Sequence, residues 1–346
     1  MIELFGRQRQ CLRIMGHQFV RDKSVLLGKW RNIVYFGVLM LVMSAQWPMI
    51  NYAIYYIDNL QLATASLMKD SAAKIILESA NSTAIMVVKL YWISVCSTGT
   101  YFMMSPVLKI IWSKIRKTNA AWELPMPMRF AFDFETFPGY EFAYIYTGLV
   151  TLSVVMYAVA TDGLFVSFAI NLVSHLKILQ KSIENNTFLK SDEELHKDLK
   201  SYIEYHNLIL SLYNELRDIY SPIVFGQFLM TSLQVCVIVY QMVTHMDTIL
   251  VLIINCTFLT SILLQLFIYC YGGEILKLES LMVGISVQLS NWYNLKPAHR
   301  RMLVLLMLRS QREAIIKAGF YEASLANFMA ILKAAVSYIT LIQSIE

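Results

Sequence analysis

Long apolar runs with few charges recur along this chain and constrain what it can fold into. The first, residues 32–57, holds no charged side chain over more than the roughly 20 residues that a helix needs to cross a bilayer. Similar runs follow at 84–111, 140–171, 222–245, 249–271 and 320–345. Because lipid cannot satisfy backbone polar groups, such runs predict transmembrane helices. We therefore expect an all-α, polytopic membrane protein.

The composition excludes several other classes of protein. Of the 346 residues, 57% are hydrophobic and only 15% are charged, against about 25% charged in soluble domains. The five cysteines form no CxxC pair and the six histidines lack metal-ligand spacing, which predicts neither a disulfide framework nor a metal site. Common catalytic and phosphate-binding motifs are absent from the sequence. We expect no enzyme activity, no cofactor and no nucleic-acid partner.

Basic residues set the expected orientation in the membrane. Residues 1–31 hold seven Lys and Arg against two acids, and residues 272–319 are also rich in basic side chains. The positive-inside rule therefore places both segments in the cytoplasm. Only five clear runs separate them, so the charged stretch 58–83 is expected to cross as an irregular second span. The prediction is seven transmembrane helices, with a cytoplasmic N-terminus and an extracellular C-terminus.

Two features are predicted between the later runs. In residues 172–221, apolar side chains recur at the spacing of an amphipathic helix, which we expect to continue into the span beginning near Pro222. Its charged face is typical of a solvated helix, whereas its apolar face needs a neighbouring subunit or residues 274–319 as a partner. The run 249–271 is expected to end in a turn at the small residues 270–273.

Six sequence blocks from Leu124 onward resemble the insect odorant receptors. They read LPMPMRFAFDFETFPGY from Leu124, AYIYTGLVTLSVVMYAVATDGLF from Ala143, HNLILSLYNELRDIYSPIVFGQFLMTSLQVCVIVYQM from His206, QLFIYCYGGEILKLES from Gln265, LRSQREAIIKAGF from Leu308 and SYITLIQS from Ser337. The chain departs from the family at KDSAAKIILESANS (69–82), which is short and charged for the end of a second span. It departs again at the C-terminus, where VSYIT stands for the family's SYSYF.

The resemblance implies a ligand-gated, nonselective cation channel in the dendritic plasma membrane of olfactory neurons. Odorant-selective members of this family bind a small volatile ligand, lie in membrane lipid, conduct cations and assemble with a shared co-receptor into a heterotetramer. The implied parts are a cytoplasmic N-terminus (1–31), spans 1 to 4 with the ligand site (32–171), an anchor domain (172–319) and a pore-lining span 7 (320–346).

The resemblance also implies a ligand pocket in the outer half of the membrane, between spans two, three, four and six. A volatile molecule with few polar groups needs aromatic and methionine walls with one or two hydroxyls. The residues that fit are Ser97, Thr100, Tyr101, Met103, Met104, Tyr146, Val150, Thr151, Val154, Asn255, Cys256, Phe258 and Leu259. The alternative for each one is that it only fills the helix bundle.

The last span is expected by the same resemblance to carry the gate. Leu341 and Ile345 would face the pore, with Ser344 beside them, because a narrow apolar ring can close a channel by dewetting. The alternative is ordinary helix packing. Asn-x-Ser/Thr triplets at Asn81, Asn185 and Asn255 should carry no glycan if the N-terminus is cytoplasmic.

Two other functions stay open from the sequence. A gustatory receptor of the same superfamily would share the last span, although the PGY segment and the SYITLIQS ending favour an odorant receptor. A heptahelical G-protein-coupled receptor would carry DRY after its third span and NPxxY in its seventh, and the sequence contains neither. A transporter is disfavoured because the chain has no internal repeat.

Overall fold

Helices account for nearly all the residues that this computed structural model describes, which are 71–116, 124–125, 130, 138–244, 249–319 and 321–345. The four long helices are α1 (Ser71–Arg116), α2 (Gly139–Glu184), α3 (Asp192–Thr244) and α4 (Ile249–Leu289). A 3-10 turn at Trp292–Asn294, α5 (Pro297–Ser310), a hairpin of β1 (Lys317–Ala318) and β2 (Tyr321–Glu322), and α6 (Leu325–Ile345) follow. The expected all-helical class is confirmed.

The four long helices are apolar enough to cross a membrane. They contain 41 to 53 residues, so each is about 60 to 80 Å long at 1.5 Å per residue. A bilayer core is only about 30 Å thick, and each helix must therefore continue beyond it. The amphipathic segment before Pro222 shows this directly, because α3 runs from Asp192 through the proline without a break, as predicted. The predicted helix over 172–221 is interrupted, however, since residues 172–184 belong to α2 and residues 185–191 are not helical.

The described part of α1 includes residues that the sequence pattern assigned to the charged stretch 58–83. Residues 71–83 are helical and continue without interruption into the run 84–111. Their charges fit a helix, since Lys74 and Glu78 pair at 3.8 Å across one turn. Residues 58–70, together with the predicted first span at 32–57, lie outside the described residues.

The predicted turn at residues 270–273 is wrong, because α4 passes through it as a continuous helix. The glycines there admit neighbouring elements instead of turning the backbone. A Cβ on Gly273 would overlap the backbone oxygen of Ala323 and lie 2.7 Å from its Cβ. A Cβ on Gly272 would lie 2.8 Å from the ring of Phe165. The small residues mark close crossings of packed elements.

The described residues form two compact units. One contains residues 100–116 and 138–153, and the other contains 71–99 and 154–345. In the second unit, α3 packs against α4, α5, α6 and β1, while α4 also packs against α5 and α6. Its largest fully buried side chains are aromatic and include Tyr91, Phe165, Tyr220, Phe228 and Tyr269. This core fixes α4, the helix on which the candidate site is built.

Candidate functional site

A groove of about 470 Å³ opens between α1 and α4 in the second unit. Such a volume suits one small organic molecule. Its lining combines apolar side chains with a few hydroxyls and a thiol: Ser94, Ser97, Leu252, Ile253, Cys256, Thr257 and Thr260. Of the residues predicted for the ligand pocket, Ser97 and Cys256 meet here from the two helices.

Three hydroxyls, Ser94, Thr98 and Ser261, form a hydroxyl cluster that ties α1 to α4. The Oγ of Ser261 lies 2.8 Å from the Oγ of Ser94 and 2.7 Å from the Oγ1 of Thr98. Ser261 and Thr98 are buried, whereas Ser94 is partly exposed and reaches the groove. The cluster therefore forms part of the groove wall and, at the same time, a polar link between the helices.

The other hydroxyls of the groove donate to carbonyls of their own helices. Ser97 Oγ donates to Ser94 O at 2.7 Å, and Thr260 Oγ1 donates to Cys256 O at 2.8 Å. Thr257 Oγ1 does the same toward Ile253 O at 2.8 Å. Because these protons are used within the helix, the groove offers sparse polar contacts in a mostly apolar wall. Such a lining suits a small ligand of low polarity.

Beyond the hydroxyl cluster along α4, a carboxylate is buried where three helices meet. Asp162 of α2 is 3% exposed and accepts hydrogen bonds from Tyr91 of α1 and from Gln265 and Tyr269 of α4. The Nε2 of Gln265 lies 2.7 Å from Asp162 Oδ2. Within the described part of the chain, the ion pairs involve other residues. An ionisable group in an apolar span is costly and commonly functional.

Further along α4, α6 is held through an α4–α6 junction, which consists of the contacts Glu274 to Leu325, Phe267 to Phe328 and Gly273 to Ala323. Glu274 Oε2 accepts the backbone N–H of Leu325, the first residue of α6, at 3.1 Å. A carboxylate at this position satisfies a free N–H and complements the helix dipole. The rings of Phe267 and Phe328 meet edge to face, with centroids 5.6 Å apart. One helix thus contacts both the groove and α6.

From the sequence, Asp162 is an ionisable residue near the end of an apolar run to which no role was assigned, and the α4–α6 junction was missed. Gln265 and Tyr269 are four residues apart on an apolar run, which is a signal that one helix face is polar. Nothing in the local pattern links that face to Asp162 or to Tyr91. Residues 270–273 were interpreted as a turn, and the glutamate that follows them, which caps α6, was not recognised.

Several predicted pocket residues lie in the first unit. The carbonyl of Met103 accepts a hydrogen bond from Tyr144. The Met103 side chain packs against Gly148, since a Cβ added to this glycine would lie 2.7 Å from the Cε of Met103. Thr151 is buried and donates to the carbonyl of Thr147 at 2.8 Å. The remaining members in this unit, which also do not line the groove, are Thr100, Tyr101, Met104, Tyr146 and Val150.

The other predicted site residues divide between the second unit and the end of α6. Val154 is 44% exposed on α2, and Asn255 is buried on α4. Phe258 and Leu259 are partly exposed beside the groove-lining positions of α4. For the predicted gate, α6 is helical through Ile345, and the side chains of Leu341, Ser344 and Ile345 lie outside the described residues.

Comparison with known proteins identifies relatives of the whole chain. A sequence model described as 7tm Odorant receptor matches residues 33–336. Odorant receptor 82a of Drosophila melanogaster is 43% identical over 387 aligned positions, which cover 100% of both chains. Because this alignment is longer than the 346 residues here, the relative contains positions that this chain lacks. Odorant receptor 9a of the same fly is 30% identical over 71% of this chain and 62% of its own length.

Solved structures of an insect olfactory receptor share the fold. The complex of OR5 from Machilis hrabei with eugenol superposes with a TM-score of 0.67 at 16% identity, covering 99% of this chain and 98% of that one. A second structure of OR5 from the same insect gives a TM-score of 0.65 at 17% identity. At this identity the likeness concerns the fold alone.

Proposed function

Because the chain belongs to the insect odorant receptor family, we propose that it is the odorant-binding subunit of a heteromeric, ligand-gated, nonselective cation channel. Its proposed partners are the odorant receptor co-receptor, a small volatile hydrophobic ligand, membrane lipid and the permeating cations. Its proposed location is the plasma membrane of olfactory neuron dendrites. The family match indicates no catalytic activity and favours neither the gustatory-receptor nor the G-protein-coupled alternative.

The observation that supports this proposal is that α4 contacts both the groove and α6. Its residues 252–260 line the groove, and its residues 267–274 hold α6. A ligand between α1 and α4 shifts the equilibrium between two placements of α4 only if it binds more tightly to one placement than to the other. Any such change of position acts on α6 through the α4–α6 junction. In the proposal α6 lines the pore, and Leu341→Ala is expected to raise the basal current measured without ligand.

The lining of the groove supports a ligand with a largely hydrocarbon body and one polar group. Leu252 and Ile253 supply apolar contact, while Ser94 and Ser97 supply oxygens. OR5 from Machilis hrabei, which shares the fold, is in complex with eugenol. A test panel should therefore contain volatile alcohols, esters and phenols, with eugenol among them.

The experiment is a whole-cell current recording in cells that express this chain with the co-receptor, with the co-receptor alone, or alone. We expect a panel member to evoke a fast cation current, insensitive to G-protein inhibition, that requires this chain. Surface-expressed complexes that respond to no panel member would contradict the odorant-binding proposal. A current abolished by G-protein inhibition would favour the heptahelical receptor alternative instead.

The proposed orientation places the N-terminus in the cytoplasm and the C-terminus outside, with seven crossings. The first crossing of that topology, at 32–57, and residues 58–70 of the second, at 58–83, lie outside the described residues. Asn81 and Asn185 are exposed on the structure and belong to glycosylation triplets that this orientation keeps in the cytoplasm. Treatment with peptide-N-glycosidase should leave the mobility of the chain unchanged. A shift that Asn185→Gln removes would reverse the orientation.

A further inference from the structure

We infer that Asp162 is a positioning residue for the groove: its hydrogen bonds set how closely α4 stands to α1, and thereby set the potency of the ligand. The inference deepens the proposed function and rests on it for the second part. It is carried by the arrangement of Tyr91, Gln265 and Tyr269 around one buried carboxylate.

The first step is that the three hydrogen bonds join three helices at one point. A carboxylate has two oxygens and accepts several hydrogen bonds, so one side chain of α2 can hold donors from α1 and α4 together. Tyr269 donates to Oδ1, while Tyr91 and Gln265 donate to Oδ2. The distance between α1 and α4 at this depth is therefore fixed by their common acceptor.

The second step is that the three bonds depend on one another. Asp162 and Tyr269 are fully or almost fully buried, and Tyr91 is 1% exposed. Away from water, a carboxylate that loses a donor has no solvent to replace it, and hydrogen bonds to charged groups are stronger than neutral ones. Loss of one tyrosine hydroxyl should therefore loosen the whole arrangement rather than one contact.

The third step is the position of this arrangement along α4. Ser261, Gln265 and Tyr269 follow each other at intervals of four residues and form one polar stripe on α4. The stripe extends over about 12 Å from the hydroxyl cluster toward the α4–α6 junction. Polar contacts between helices in lipid fix their register where apolar packing alone leaves alternatives. The stripe thus fixes α4 directly beside the groove.

The test uses Tyr91→Phe and Tyr269→Phe, each of which removes one hydroxyl and keeps the ring. In complexes with the co-receptor, the half-maximal concentration of the strongest agonist in the panel should rise about tenfold. The number of channels at the surface and the ion selectivity should stay unchanged. A purely structural role would lower the maximal current in proportion to surface number and leave the half-maximal concentration where it was, which would overturn the inference.

Tyr220→Phe is the matched control. Tyr220 is equally buried, and its hydroxyl donates to the backbone carbonyl of Thr161, next to Asp162 in the chain, at 3.1 Å. Its removal should leave agonist potency at the wild-type value. An equal shift in this variant would mean that any buried hydroxyl lost here has the same effect, and the role assigned to Asp162 would fail. In an Asp162→Asn background, Tyr91→Phe should add little, because the two changes break one arrangement.

A second measurement needs no agonist and separates this inference from the proposed function. Cys256 is exposed in the groove, so the rate at which a methanethiosulfonate reagent labels it reports the spacing of α1 and α4. Labelling of Cys256 is the part of the signal that Cys256→Ser abolishes. Its rate should become several-fold faster in Tyr91→Phe and Tyr269→Phe and stay unchanged in Tyr220→Phe. Unchanged rates in all three would refute the positioning role. Altered rates without any odorant current would refute the proposed function alone.

Discussion

Six of the eight residues at 266–273 in α4 are buried, whereas Asn255 is the one buried residue among the nine at 252–260 of the same helix. The packed segment touches α2, α6 and the residues that precede α6. The open segment lines the groove. Substitutions in packed interiors cost more than those at open positions. We therefore expect the open segment of α4 to accept changes that retune the ligand, and the packed segment to reject them.

The largest effect is expected from Gly273→Ala, because the new Cβ would overlap the backbone oxygen of Ala323. Overpacking of this kind costs about 1 to 3 kcal/mol or more, since backbone cannot move aside as a side chain can. Thermal unfolding of the solubilised complex should occur at lower temperature, and surface current should fall. Gly226→Ala is the control, because no described residue beyond its own stretch of helix comes within 4 Å of its new Cβ. Equal losses in both variants would contradict the assignment of Gly273 to a close crossing.

The next effect concerns the cap of α6. Glu274→Ala removes the acceptor of the Leu325 N–H and should cost about 1 kcal/mol, which is typical of a lost cap. We expect a lower unfolding temperature and a smaller maximal current at unchanged agonist potency. Glu204→Ala serves for comparison, since its ion pair with Lys200 at 3.7 Å is exposed and worth little. If Glu204→Ala were as harmful, loss of negative charge rather than loss of the cap would explain the result.

A smaller effect is expected where the two segments of α4 meet. Ser261→Ala removes the hydroxyl that joins Ser94 and Thr98, with an expected loss of about fivefold in agonist potency from one hydrogen bond of ordinary strength. Ser232→Ala removes an exposed hydroxyl that, among the described residues, donates to Leu229 O of its own helix at 2.8 Å, and should leave potency unchanged. Dose–response curves for both variants decide whether the hydroxyl cluster contributes.

The smallest effect on stability is expected in the open segment. Thr260→Val replaces an exposed hydroxyl by a methyl group of similar size and should change the free energy of unfolding by less than about 0.5 kcal/mol. Its effect should appear in the rank order of agonists in the panel, with more apolar members favoured. A loss of unfolding free energy as large as that of Gly273→Ala would contradict the distinction between the packed and open segments of α4.

Local periodicity was sufficient to predict much of the fold. The apolar runs at 84–111, 140–171 and 249–271 all lie in the long helices, and the amphipathic pattern before Pro222 predicted the continuity of α3. The charges at 71–83 were misleading because a cluster of charged residues resembles the end of a transmembrane helix. Lys74 and Glu78 in fact stand one helical turn apart on a continuous helix. Length and period thus identify a helix more reliably than polarity does.

The site was harder to predict, because it depends on contacts that are distant in sequence. Tyr91, Gln265 and Tyr269 are 71, 103 and 107 positions away from Asp162. The direction in which each pocket candidate faces depends on the rotation of its helix, so Ser97 and Cys256 line the groove whereas Thr151 bonds within α2. A glycine that turns the chain and one that admits a neighbour also look alike in sequence, which is why residues 270–273 were misread.

The α4–α6 junction has a consequence for exchanging segments between related receptors. Gly273 and Ala323 meet backbone against backbone, and Glu274 belongs functionally to α6 although it lies on α4. A chimera joined at the hairpin between β1 and β2 would take these partners from two different receptors. The foreign α6 would then pack against an α4 surface that does not match it. Splicing before Phe267 keeps them together. The unit of exchange is therefore α4 from Phe267 to Leu289 with everything that follows it.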